Sequence, residues 1–267
     1  MADFTAQDVK RLRDLTGAGM MDAKKALVEN EGNFDAAGKW LRERGLGKAA
    51  ERGDRENAQG AVAVAVAGNA AALVQLKCET DFVAKAPDFV ALLSELAELA
   101  ASSGEEAVAG RQDDVDNLKL TLKENIEVGR VVRFEAADGA VIDAYNHIQN
   151  GRGVNAVLVE VTGGSQELAH DIAVHIAFAK PGSLRREDVS SDAIAEERES
   201  LLKETQNEGK PEAAWEKIVE GKLGGWFKRM PGGSLLDQPY AKDDKKTVTQ
   251  ILGGATVTRF AQVVIGG

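Results

Sequence analysis

One order of elements, strand, turn, strand, loop and helix, occurs twice along this chain and constrains its fold more than any other feature. In the first copy, residues 61–67 alternate Ala and Val, the chain turns at residues 68–69, and residues 71–77 return as a second strand. In the second copy, residues 140–161 contain two strand patterns around an Asn-Gly turn at residues 150–151. The copies begin roughly 80 residues apart, which indicates an internal repeat.

Each half of the chain can complete a three-stranded antiparallel sheet. Residues 131–136 have strand composition after the first copy, and residues 256–264 do so after the second. Each hairpin also leads into a helical pattern, over residues 87–102 in the first half and after Gly163-Gly164-Ser165 in the second. We therefore predict the α+β class, with two repeated α+β subdomains.

The first part of the chain, residues 1–46, predicts three short helices. Thr5 and Asp8 have the spacing of a capping box, Gly17 is a stop for the first helix, and Gly45 is a stop for the third. A bundle of this size has a core barely large enough for independent stability. We therefore predict a three-helix docking module.

The rest of the chain divides by composition. Residues 47–59 mix charges with glycine and contain almost no bulky apolar side chain, which is typical of a linker. After Ser190, two amphipathic patterns are joined at Gly209 and end at Gly224-Gly225, which predicts an inserted antiparallel helical hairpin, or coiled coil. The remaining predicted segments are core subdomain N at 60–138, core subdomain C at 139–187 and 231–267, and the inserted hairpin at 188–230.

The charge balance limits the partners that this chain can take. Its 267 residues include 33 basic and 43 acidic side chains, a net charge of -10. An acidic surface repels phosphate backbones, so direct nucleic-acid binding is not expected. The single cysteine, Cys78, cannot form an internal disulfide, which suits a reducing compartment. No targeting pattern or membrane-spanning run is visible, so we expect a cytoplasmic protein that does not bind membranes.

Catalytic and metal-binding patterns are sparse. His170 and His175 stand five residues apart and do not share a helix face, so no metal site and no cofactor are expected. Residues 151–156 fit Gly-x-Gly-x-x-Ala but precede a strand instead of following one, which excludes dinucleotide binding. Neither a nucleophile elbow nor a phosphate-binding loop is found, and the loop at residues 163–165 is interpreted as a turn. The sequence predicts a binding protein without covalent catalysis.

A short polar connection, residues 78–85, carries one large aromatic side chain between a strand and a helix. Such connections often display functional groups. Phe82 must either pack the start of the helix against the sheet or be exposed for contact with a partner, and spacing alone favours the packed position. In the N-terminal module, Met20 and Met21 are adjacent and cannot both face one core, so an exposed methionine is an alternative to gap-filling.

Two long motifs and several short ones carry a specific resemblance. Residues 15–27, Leu-Thr-Gly-Ala-Gly-Met-Met-Asp-Ala-Lys-Lys-Ala-Leu, resemble the N-terminal signature of the bacterial translation elongation factor Ts family. Residues 78–85, Cys-Glu-Thr-Asp-Phe-Val-Ala-Lys, resemble its second signature. Shorter matches follow in the family's order, over nearly the whole chain, at residues 145–147, 175–181, 209–211, 219–222 and 246–248.

The resemblance implies a guanine-nucleotide exchange factor for elongation factor Tu in the elongation step of protein synthesis. Thr80, Asp81, Phe82 and Val83 match the family's element that dislodges Mg²⁺ from the partner. By this resemblance Phe82 is the wedge and Asp81 perturbs the loop on the Mg²⁺ side. The resemblance therefore favours an exposed Phe82, against the preference from spacing.

The resemblance also implies contacts outside this loop. Leu12, Met20 and Met21 match positions that dock on the nucleotide-binding domain of elongation factor Tu, and His147 matches a contact with its third domain. Self-association, as a homodimer or in a 2:2 complex, is left open. Trp226-Phe227 departs from the familiar version of the family's coiled-coil insertion, which leaves the role of the hairpin open.

Two other function classes remain as alternatives. The N-terminal module resembles ubiquitin-associated-type bundles, so the chain could be an adaptor without exchange activity. An adaptor would tolerate the loss of Asp81 and Phe82, whereas exchange through a wedge would not. An enzyme that uses the loop at residues 163–165 is the more remote alternative, and it would turn over a small molecule with no protein partner present.

Overall fold

The computed structural model describes residues 4–50 and 53–266, with only the backbone described at residues 46–50. Within these ranges, helices alternate with two three-stranded antiparallel sheets and one two-stranded sheet. The predicted α+β class is confirmed. The predicted division into segments with separate roles stays a prediction.

The N-terminal module is a three-helix bundle of α1 (Ala6–Thr16), α2 (Met20–Glu29) and α3 (Phe34–Ala50). The Thr5 hydroxyl accepts a hydrogen bond from the backbone N–H of Asp8, and the Asp8 carboxylate accepts one from the backbone N–H of Thr5. Gly17 ends α1 with a φ of 64°, a left-handed conformation that glycine adopts without strain. These local interactions fix the boundaries of α1 where the sequence predicts them.

The sequence predicts that the third helix ends at Gly45, but the helix continues to Ala50. A Cβ at Gly45 would lie 2.6 Å from Cδ2 of Leu120, so the missing side chain lets α3 pass close to a later helix. Glycine here serves packing and does not stop the helix. The last turn of α3, residues 47–50, falls within the predicted linker at 47–59, of which residues 51–52 lie outside the described residues.

The first sheet has two faces with different side chains. Ala61, Ala63 and Ala65 face the helix that covers this sheet, whereas Val62 and Val64 belong to the opposite face. The elements of this half are β1 (Gln59–Ala67), β2 (Ala70–Cys78), α4 (Pro87–Ser103), α5 (Glu106–Ala109), α6 (Gln112–Leu122) and β3 (Glu127–Glu135). The strand order is β1-β2-β3.

The second half repeats this arrangement around a long insertion. Its elements are β4 (Ala140–Gln149), β5 (Arg152–Thr162), α7 (Gln166–Ala179), α8 (Ser191–Asn207), α9 (Trp215–Lys228), β6 (Pro239–Tyr240), β7 (Asp243–Thr247), α10 (Val248–Leu252) and β8 (Thr256–Val264). The sheet order is β4-β5-β8. The predicted end of the hairpin at Gly224-Gly225 is wrong, because α9 continues and buries Phe227 beside Leu223.

The two three-stranded sheets pack face to face, while α4 and α7 cover their outer faces. The shared core between the sheets is formed by Val62, Ala71, Leu73, Phe134, Ala156, Leu158, Ala261 and Val263. The result is a layered arrangement of helix, sheet, sheet and helix. Both sheets contribute to this shared core, each also forms a separate core with its own helix, and the connections at the strand ends are left at the surface.

Candidate functional site

The β2–α4 loop, residues 78–85, projects one aromatic side chain from the surface. Phe82 is 81% exposed, whereas Ala84 turns back into the fold and is fully buried. A 3₁₀ turn over Val83–Lys85 then leads to Pro87, which begins α4. The prediction from spacing, in which Phe82 packs the helix start against the sheet, is therefore wrong, because neighbouring residues fill the space under the loop.

The Cys78 thiol at the end of β2 is structural. It is fully buried, and its Sγ donates to the carbonyl oxygen of Thr80 at 3.1 Å. Burial raises the pKa of the Cys78 thiol to about 12, because surroundings of low polarity disfavour the thiolate. The thiol stays protonated at neutral pH, so Cys78 anchors the loop and is not a nucleophile.

A carboxylate from a distant part of the chain holds the start of this loop. Oε2 of Glu124 accepts from the backbone N–H groups of Glu79 and Thr80, at 3.0 and 3.1 Å. Its Oε1 accepts from the Thr80 hydroxyl at 2.6 Å. In return, the Glu79 carboxylate accepts from the backbone N–H of Asn125 at 2.7 Å. Sequence reasoning missed Glu124 and Asn125, because 44 residues separate Thr80 from Glu124 and no local pattern links them.

Asp81 and Phe82 share one cation. Nζ of Lys85 forms an ion pair with the Asp81 carboxylate and lies 5.8 Å from the centroid of the Phe82 ring. The hydrogen bond from Lys85 lowers the pKa of Asp81 below its ordinary value, so Asp81 is a carboxylate at neutral pH. The tip of the loop thus presents an aromatic ring beside a charge pair, which suits contact with another macromolecule.

The N-terminal module presents a second apolar surface. Met20 and Met21, at the start of α2, are 45% and 74% exposed. Leu15 is also 74% exposed, although apolar spacing along α1 groups it with Val9 and Leu12. Leu12 is fully buried in the core of the bundle, so the direct docking contact predicted for its side chain is not available in this conformation. Leu12 instead supports the helices that present the exposed residues.

A cleft of about 820 Å³ lies between this bundle and α6. Phe34 and Arg42 line it from the bundle, and Leu120 and Thr121 line it from α6. Leu15 also lines the cleft, so the exposed apolar surface of the bundle continues into it.

His147 forms a third surface near the end of β4. Its ring is exposed, its Nδ1 lies 3.3 Å from the Tyr145 hydroxyl, and the following Ile148 is also exposed. Arg152, the first residue of β5, donates from Nη1 to the carbonyl oxygen of Gly60 at 2.6 Å, and Gly60 pairs with Lys77 beside Cys78. The β2–α4 loop and the β4–β5 turn therefore lie at the same end of the layered core.

The other chemical candidates have structural roles. Ser165 accepts from the backbone N–H of Leu168 at 3.1 Å and caps α7. His170 contacts Asp143, and His175 is buried against Gln238. Within the described ranges, no group of three or more His, Cys, Asp or Glu is placed to hold a metal ion. None of the helices described here has the length and apolar character needed to cross a membrane.

Comparisons with known proteins give consistent results. The family model described as "Elongation factor TS" matches residues 79–267. The elongation factor Ts of Clavibacter michiganensis subsp. michiganensis is 44% identical over 279 residues, with all of both chains covered. That of Kineococcus radiotolerans is 42% identical over 280 residues and also covers all of both chains. That of Deinococcus radiodurans is 40% identical over 274 residues, covering 97% of this chain and 99% of its own.

Proposed function

The chain belongs to the elongation factor Ts family, and from this membership we propose that it is a guanine-nucleotide exchange factor for elongation factor Tu. In this proposal it binds elongation factor Tu·GDP, dislodges Mg²⁺ and promotes release of GDP, so that GTP can bind. The protein acts through binding alone, with no covalent step and no cofactor of its own.

Exchange has a simple thermodynamic requirement. The factor must bind the nucleotide-free partner more tightly than the nucleotide-bound partner. Coupling between the two ligands is reciprocal, so nucleotide that rebinds also weakens the hold of the factor. Each loss of about 1.4 kcal/mol in nucleotide binding lowers the affinity tenfold, and a few such steps empty the site.

The observation that supports this proposal is the exposed ring of Phe82, which lies on a loop whose start is fixed by hydrogen bonds. A P-loop GTPase holds GDP through backbone donors around the phosphates and through Mg²⁺ on a Ser/Thr and an Asp. Phe82 acts as a wedge between the elements that carry those groups, and Asp81 perturbs the loop on the Mg²⁺ side. Thr80 and Val83 complete the same element.

Two further surfaces dock the partner in this proposal. Met20 and Met21 contact its nucleotide-binding domain, Leu12 supports them from the buried core of the bundle, and His147 contacts its third domain. A homodimer or 2:2 complex stays a prediction. Among the described residues of α8 and α9, no large apolar side chain is fully exposed, although Ile194, Trp215 and Ile218 are half-buried.

The test is the release of fluorescent GDP from elongation factor Tu, with and without this protein. The native chain is expected to accelerate release, and the double variant Asp81→Ala, Phe82→Ala is expected to be slower by about tenfold or more, because the wedge and its charge are gone. Val66→Ala is a matched control, because Val66 is also an exposed apolar residue but lies near the tip of the β1–β2 hairpin.

Each outcome separates the function from its mechanism. Fast release with both the native chain and the double variant would keep the exchange function and exclude the wedge. If the native chain binds elongation factor Tu without accelerating release, an adaptor is the better interpretation.

A further inference from the structure

The turn after α6 contacts the β2–α4 loop through hydrogen bonds. Lys123 ends α6 in a left-handed conformation with a φ of 61°, and Glu124 and Asn125 follow it. Asn125 is 4% exposed, and its Nδ2 donates to the carbonyl oxygens of Gly53 and Arg55, at 3.1 and 2.8 Å. The segment that holds the loop is therefore anchored itself.

The Thr80 hydroxyl connects Glu124 to the tip of the loop. It donates to Oε1 of Glu124 at 2.6 Å and accepts from the backbone N–H of Val83 at 3.3 Å. The carbonyl oxygen of Thr80 also accepts from the backbone N–H of Ala84 at 3.3 Å. The polar groups of Thr80 are thus engaged inside the loop, and they brace the turn from which Phe82 projects.

We propose that Glu124 is a positioning residue for nucleotide exchange, which fixes Thr80 and, through Thr80, the direction of the Phe82 ring. The inference rests on the proposed function. It assigns Thr80 an internal role in place of a direct contact with the partner. A wedge that is already ordered loses less conformational entropy when it inserts, so more of its binding free energy is left to weaken nucleotide binding.

The chemistry of Glu124 suits this role. Its two oxygens accept three hydrogen bonds, and bonds to a charged acceptor are stronger than those to a neutral one. An amide at this position has one acceptor oxygen and turns an NH₂ group toward donors. Glu124→Gln therefore leaves at least one donor of the loop without a partner.

The first experiment measures release of fluorescent GDP from elongation factor Tu over a range of factor concentrations. Glu124→Gln and Thr80→Val are each expected to lower the maximal release rate about tenfold, whereas Thr80→Ser keeps the hydroxyl and is expected to recover most of the rate that Thr80→Val loses. The control is Glu127→Gln, because Glu127 accepts from Asn57 at 2.9 Å instead of holding the loop. A native maximal rate for Glu124→Gln would overturn the proposal.

The second experiment combines Glu124→Gln with Phe82→Ala. If Glu124 acts through Phe82, the double variant is expected to be no slower than Phe82→Ala alone. Losses that multiply in full would show that Glu124 acts independently of the wedge, which would overturn the proposal.

The third experiment needs no partner. Hydrogen exchange of the Glu79 and Thr80 amides, followed by NMR, is expected to be faster in Glu124→Gln, since both amides donate to this carboxylate. Unchanged exchange would contradict the hydrogen bonds from these two amides to Glu124.

If Glu124→Gln does not fold, the comparison of Thr80→Val with Thr80→Ser decides whether the proposal holds. If the native chain does not accelerate GDP release, the proposed function is wrong; if it does and the variants match it, only this inference is wrong.

Discussion

At the tip of the β2–α4 loop, Lys85 sets the electrostatic environment of Asp81 and Phe82. It donates to Asp81, and this hydrogen bond is the largest cause of the lowered pKa of that carboxyl group. We expect Lys85→Met to raise the pKa of Asp81 toward its ordinary value, because the side-chain length is kept and the charge is removed. Carboxyl chemical shifts followed by NMR during an acid titration measure this change.

Asp8 provides the control for that titration. Its pKa is also lowered, but by hydrogen bonds from Thr5 at the start of α1. It should be unaffected by Lys85→Met. A pKa of Asp81 that does not move in the variant would contradict the assigned role of Lys85.

His175 makes stability depend on pH. It is 1% exposed, its Nε2 donates to Oε1 of Gln238, and its Nδ1 accepts from the backbone N–H of Ala241. Burial lowers its pKa from the ordinary 6.5, so the unfolded chain binds the proton more readily. The folded state is therefore expected to lose stability as pH falls below about 6.5, and to lose none from this source above about 7.5.

Urea unfolding of the native chain and His175→Gln between pH 8 and pH 5 measures this contribution. The native free energy of unfolding should decrease toward pH 5 more steeply than that of the variant, since the variant has no imidazole at this buried position. Equal pH dependence in the two proteins would show that His175 contributes nothing.

At the scale of elements, strand β1 depends on one glycine near its start. Gly60 has a φ of 145°, and a Cβ there would lie 2.2 Å from the carbonyl oxygen of Leu76 on β2. We expect Gly60→Ala to lower the free energy of unfolding by more than about 2 kcal/mol, because both the backbone conformation and the pairing with β2 are disturbed. Chemical denaturation measures the change.

The turn between β1 and β2 offers a matched control. Gly68 also has a positive φ, 62°, but nothing lies within 4 Å of its Cβ position. Asn tolerates this left-handed conformation, so Gly68→Asn is expected to cost less than about 1 kcal/mol. Similar losses for the two variants would indicate that contact with Leu76 is not the cause.

At the scale of the whole molecule, the two sheets share one core, so neither half is expected to unfold alone. Leu158 on β5 is fully buried and packs in the cluster that contains Leu73 on β2. We expect Leu158→Ala to lower the free energy of unfolding by about 2 to 5 kcal/mol through the cavity that it leaves. Amide protection should fall by a similar amount in β2 and β5. Loss of protection confined to β5 would indicate independent halves.

Patterns that span a few residues were predictable, because their causes are local. The capping box of Thr5 and Asp8, the stop at Gly17 and the two hairpin turns depend on neighbours within one or two turns of chain. Gly45 and Gly224-Gly225 were predicted to be stops but are helical. Packing outweighs the weak helix propensity of glycine in both places: against the distant Leu120 at Gly45, and through the nearby Phe227 at Gly224-Gly225.

The sequence by itself determined the α+β class, the repeated order of elements and, through the family signatures, which loop carries Phe82. The tertiary structure alone decided which side chains are accessible: Leu12 is buried although it matches a docking position, and Leu15 is exposed although its spacing is that of a core residue. It also brought Glu124 to Thr80 across 44 residues. Periodicity and capping act within a few residues, whereas exposure and long-range hydrogen bonds depend on which elements pack together, and no local pattern specifies that.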